Sequence, residues 1–89
     1  MSESTVQCWL VERSFDDRNL VTIVYATPDG SQYHQRERSA TSLQTGSTVT
    51  AATEIPESAL ESVTDETTRN RYASEAKRTA EQYEPTESI

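Results

Sequence analysis

Apolar and polar positions alternate along the first half of the chain and switch to a helical period in the second. Residues 1–4 are polar and are expected to be disordered. From Thr5 to Arg13 the period is two. Val6, Cys8 and Leu10 point one way, and Gln7, Trp9 and Val11 point the other, which predicts a strand with apolar groups on both faces. Residues 14–19 read as a turn rich in side chains that bond their own backbone. Leu20 to Thr27 is dense in β-branched and aromatic residues and predicts a central strand. The sequence Thr27-Pro28-Asp29-Gly30 then predicts a tight turn. Proline pre-sets its first position and glycine supplies a positive φ.

With Gly30 as a bulge, the third strand, Ser31–Ser39, falls into a definite register. Thr27 faces Ser31, Tyr25 faces Tyr33, Ile23 faces Gln35 and Val21 faces Glu37 on one side of the sheet. Val24 faces His34, Thr22 faces Arg36 and Leu20 faces Arg38 on the other. The polar end of this strand suits a sheet edge. A connector from Ala40 to Thr45, ended by Gly46, leads to a weaker strand candidate, Ser47–Ile55, with Val49, Ala51, Thr53 and Ile55 on one side. Pro56 opens an expected short helix over Glu57–Val63. Thr64-Asp65-Glu66 has the look of a cap, and a longer helix is expected from Asp65 to about Tyr83. Its apolar stripe is Tyr72, Ala73, Ala76, Ala80 and Tyr83. Pairs at i,i+4 (Asp65–Arg69, Arg71–Glu75, Lys77–Glu81) are expected on its other faces. Residues 84–89 read as a disordered tail. The whole predicts one α+β domain over residues 5–83: an antiparallel meander of three to four strands with a C-terminal helix packed on one face.

Charge changes this picture. Fifteen acidic side chains face eight basic ones, only one of them a lysine (Lys77), for a net charge of −7. Thirteen threonines, eleven serines and eleven glutamates accompany them. The composition resembles that of cytosolic proteins of salt-accumulating haloarchaea. That resemblance implies a high-salt solvent, where screening makes self-repulsion tolerable, and it identifies a habitat rather than an activity. Leu, Ile, Val and Phe together number only fourteen, so a thin core leaning on salt or on a partner is expected. A cytoplasmic location is expected too, since no apolar run spans a bilayer and the N-terminus has no signal-peptide pattern. A lone cysteine excludes an internal disulfide and any CxxC metal site.

Candidate chemistry is sparse. His34 lies mid-strand without a second histidine, and Cys8 alternates with Val6 and Leu10 as a small hydrophobe would. Arg36 and Arg38 share a strand face with His34, and Arg13 and Arg18 flank the first turn. Together they form a basic strip suited to phosphate or to an acidic partner. Phe15 sits in that turn as a potential anchor. Tyr72, Ala76, Ala80 and Tyr83 offer a second surface, where small residues allow close approach either to the sheet or to a second copy of the helix. The acidic clusters show no ordered ligand spacing for a divalent cation, and no cofactor is expected. The leading expectation is a small non-enzymatic interaction, accessory or regulatory module, homodimeric or docked on another protein. The alternatives are a nucleic-acid-associated regulator using the basic strip, and an enzyme built around His34 and Cys8.

Overall fold

The computed structural model describes residues 4–16, 19–39 and 49–88. Five strands and one long helix make up the α+β fold. The strands are β1 (Thr5–Asp16), β2 (Leu20–Ala26), β3 (Gln32–Ser39), β4 (Ala52–Pro56) and β5 (Glu61–Ser62), and the helix is α1 (Glu66–Gln82). Neighbouring strands are antiparallel, in the order β4-β1-β2-β3-β5. The sheet therefore has five strands rather than three to four. The meander β1-β2-β3 is as expected, but β4 crosses back to pair with β1, Val6 opposite Ile55 and Trp9 opposite Ala52.

The short helix expected over Glu57–Val63 is instead a single 3-10 turn, Glu57–Ala59, followed by β5. The reason lies in two apolar side chains. Leu60 packs on one face of the sheet with Ala59, while Val63 packs on the other with Val24 and Tyr72. Positions three apart on a helix share a face, so no helix could deliver both.

β1 is longer than the sequence pattern suggests, and it is bulged. Leu10 pairs with Tyr25 but Glu12 pairs with Val24, so Val11 is the extra residue. Strict alternation would carry Glu12 into the core beside Cys8 and Leu10. The bulge avoids that. Val11 and Glu12 both face α1, Val11 against the Trp9–Ala76 and Val24–Tyr72 clusters and Glu12 against Arg71 at 3.1 Å. Thr79 of α1 donates its hydroxyl to the Leu10 carbonyl beside the bulge at 2.8 Å.

The β2–β3 register is one residue away from expectation. Ala26 pairs with Tyr33, Tyr25 with His34, Ile23 with Arg36 and Val21 with Arg38. Asp29 explains the slip. Its Oδ1 accepts from the Thr27 hydroxyl at 2.6 Å, the Ser31 hydroxyl at 2.7 Å and the Ser31 backbone N–H at 3.0 Å. Ser31 is thereby held in the loop, and the ladder closes at Thr27 and Gln32 instead, where Thr27 N–H donates to Gln32 O at 3.0 Å. Gly30 has the expected positive φ, 73°. It also lies against α1, where an added Cβ would collide with Arg69 O and sit 2.7 Å from Ala73 N.

The core is two-sided. One face of the sheet carries Cys8, Leu10, Val21, Ile23, Tyr25, Val49 and Ile55. The other packs Trp9, Val24 and Ala26 under Tyr72 and Ala76 of α1, with Ala51, Ala52 and Val63 completing it. Asp65 caps the helix, its carboxylate accepting from Thr68 N–H at 2.9 Å. Residues 84–88, expected as a disordered tail, pair with the first residue of β4 and the chain just before it. Ala51 N–H donates to Glu87 O at 2.9 Å, Ala52 N–H to Pro85 O at 3.0 Å, and Ser88 bridges Thr50.

Candidate binding face

The bulge in β1 and the loop length at Asp29 together decide what shares the sheet face opposite α1. Past the bulge, Arg13 and Phe15 turn to that face, opposite Ile23 and Val21. The one-residue slip in β3 brings His34, Arg36 and Arg38 to it as well. Three rows run across β1, β2 and β3: Phe15–Val21–Arg38, Arg13–Ile23–Arg36 and Leu10–Tyr25–His34. Strands stand about 4.8 Å apart, so the Cα atoms of Arg13 and Arg36 are roughly 10 Å apart with Ile23 between them. The expected register had set Tyr25 and Tyr33 together on the face away from the arginines. In the structure Tyr25 shares the arginine face, and Tyr33 lies on the helix side, 6.2 Å ring to ring from Tyr72.

Each side chain has a defined setting. The Arg36 guanidinium lies over the Tyr25 ring, 5.6 Å from its centroid. That contact suits a delocalised cation whose edge N–H groups stay free to meet a carboxylate or phosphate. Tyr25 is buried, and its hydroxyl donates to Thr50 O at 2.9 Å, which fixes the platform under Arg36. His34 is half-buried, with Nδ1 3.0 Å from Ala59 O. A carbonyl only accepts, so Nδ1 carries the proton and Nε2 is the remaining polar atom. Arg38 is exposed and reaches the Glu37 carbonyl at 3.4 Å, and Arg13, on β1 across the same face, is exposed. Phe15 is 68% exposed, the large hydrophobic side chain that stands out on the described surface. Arg18 falls outside the described residues.

The helix stripe divides. Tyr72 and Ala76 are buried against the chain's own sheet, and Tyr83 is half-buried beside the Trp9 cluster. Ala80, expected in the stripe, is exposed, because Thr79 takes the inward position. Ala73 and Ala80 instead line an open groove of about 460 Å³ with Trp9, Pro28, Ser74, Ala76 and Lys77. Sequence reasoning did not single out Trp9 or Pro28 here, since a groove between a hairpin tip and a helix has no periodic signature.

Cys8 and His34 do not form a dyad. They lie on β1 and β3 with β2 between them, and Cys8 is two positions along β1 from the row that holds His34. The Cys8 thiol is buried and burial pushes its pKa up to about 11, so it stays protonated at neutral pH. Among the described residues no three acidic, histidine or cysteine side chains cluster as metal ligands. Nor is any described helix long and apolar enough to cross a membrane.

No curated protein and no solved structure matches the chain. A family profile does match it, over residues 2–89. A match over that span places the chain in the family of unknown function DUF7967.

Proposed function

We propose that the chain is a small non-enzymatic binding module that takes an anionic partner on the sheet face opposite α1, where Arg13, Phe15, Arg36 and Arg38 flank the buried Val21 and Ile23. One observation carries the reading: three of the chain's eight basic side chains and its most exposed aromatic stand on one face of a protein of net charge −7. An exposed aromatic beside arginines is the usual composition of an interaction hot spot. A short acidic protein segment suits this face better than a long polyanion. Nucleic acid running past the patch would meet the surrounding carboxylates, whereas a short segment can keep its charge against the arginines. The lysine-poor, acidic surface supports a salt-rich cytoplasm as the working solvent.

The test is fluorescence anisotropy with a labelled glutamate-rich peptide and a labelled thymidine oligonucleotide, against the native chain and the Arg36→Glu/Arg38→Glu double variant. The peptide is expected to bind and the oligonucleotide to bind more weakly. The double variant should lose affinity at least about tenfold with its circular dichroism unchanged. Peptide binding that ignores the charge reversal, or tighter binding of the oligonucleotide, would refute the reading.

Self-association is a second reading. It is favoured by the open apolar groove of Trp9, Pro28, Ala73 and Ala80 beside α1. Sedimentation of the purified chain separates the two, because a strict monomer leaves only the first.

A further inference from the structure

The outer side of β3 is paired for only part of its length. β5 meets Gln32 and Tyr33 and then ends, and among the described residues no strand lies beyond β3 from His34 onward. The direction of its free hydrogen-bonding groups follows from two bonds. Gln32 O accepts from Thr27 N–H, toward β2, while Ser31 O accepts from Val63 N–H at 2.9 Å, toward β5. Alternate residues of an antiparallel strand bond to opposite neighbours, so the odd-numbered residues of β3 turn outward. Past Tyr33 these include Gln35 and Glu37, both exposed, with the Glu37 carbonyl approached at 3.4 Å by the Arg38 guanidinium, which an incoming strand would displace. Such a row of outward N–H and C=O groups is the template on which an extended segment adds to a sheet.

We infer that an extended acidic segment of a partner protein docks as a sixth strand along β3, its main chain bonded at Gln35 and Glu37 and its carboxylates facing Arg36 and Arg38. This rests on the reading of the arginine face as the binding surface, and adds how the partner is held and what it looks like. Charge complementarity selects the occupant. Arg36 and Arg38 stand two residues apart on one face of the edge strand, roughly 7 Å along it, which is the spacing of acidic side chains at alternate positions of an added strand. A second copy of β3 fits worse. A two-fold pairing centred on Arg36 sets that residue against itself, and one centred on Glu37 sets Arg36 against Arg38 of the other copy, in both cases like charges directly opposed.

The experiment uses the full chain, isotopically labelled, and a synthetic peptide of alternating glutamate and valine. A second peptide of the same sequence is N-methylated on alternate residues, which removes the donors a strand needs. Bound peptide should slow amide hydrogen exchange at Gln35 and Glu37 at least about tenfold. N-methylation and Arg36→Glu/Arg38→Glu should each weaken binding at least about tenfold. Equal binding of both peptides, with unchanged exchange at Gln35 and Glu37, would overturn strand addition while leaving the binding face intact. Failure of both peptides to bind would overturn both readings. Protection of those amides in a free chain that sediments as a dimer would assign the edge to a second copy and overturn the proposal.

Discussion

At the scale of single residues, Asp29 governs more of this protein than its place in a surface turn suggests. One carboxylate oxygen holds Thr27 and Ser31 and so fixes which residues of β3 face which way. The Thr27 hydroxyl, then the Ser31 backbone and hydroxyl, draw its pKa down from 3.8 to about 2. A carboxyl depressed on folding stabilises the native state fully above its ordinary pKa and loses that contribution as pH falls through the folded value. The turn is therefore expected to weaken between about pH 4 and about pH 2. Asp29→Ala should cost about 1 kcal/mol near neutrality, modest because the site is exposed, and should flatten the pH dependence in that window. Urea denaturation of both proteins across the acid range checks this, and parallel pH profiles would count against it. The turn itself was readable from Thr27-Pro28-Asp29-Gly30. Its length was not, because nothing local says that Asp29 will capture Ser31 rather than leave it to the ladder. That unread capture of Ser31 reversed the face assigned to every residue of β3.

At the scale of elements, β1 and α1 are coupled through the bulge. The inward positions of α1 are Tyr72, Ala76 and Thr79, an i, i+4, i+7 series continued by Tyr83 just past its end, in which a threonine occupies a place the apolar stripe would give to Ala80. Its hydroxyl answers the Leu10 carbonyl, so the polar residue follows from the bulge and not from the helix. The charges follow it too. Arg71 leaves its expected partner Glu75 for Glu12, which the bulge has carried to the helix side. Glu75 is met instead by Arg78 at 3.8 Å. Thr79→Val keeps the shape but leaves a buried carbonyl unanswered, and should cost about 1–3 kcal/mol. Thr79→Ser should recover most of it. Chemical denaturation of the two variants decides, and a Thr79→Val variant as stable as the native chain would remove the coupling. Helix position, cap and length were legible in the sequence because period and capping are local signals. The bulge was hinted at only by Glu12, which unbroken alternation would bury.

For the whole molecule, the thin apolar inventory is spread over two faces rather than concentrated under the helix. Ile55, Val24 and Cys8 are the largest fully buried side chains, drawn from both sides of the sheet. A core this lean within an acidic shell should gain from screening. The melting temperature is expected to rise from about 0.1 M to about 3 M KCl, as the Debye length shrinks from about 10 Å to below about 3 Å. A flat or falling profile would speak for an ordinary dilute-salt protein. The fold class was visible in the two periods of the chain. The crossover of β4 was not, because strand pairing across some forty intervening residues leaves no mark in local sequence.

That crossover also orders the way the chain comes together. The β1–β2 and β2–β3 hairpins close over a few residues each, whereas Val6 must find Ile55 nearly fifty positions further on. Closing a loop costs entropy that grows with its length, by about 0.6 kcal/mol per doubling. The three-stranded meander is thus expected to form early and the docking of β4, with the tail that pairs beside it, late. Until then β1 shows an open side carrying Cys8 and Trp9, the sort of edge on which half-made chains stick to one another.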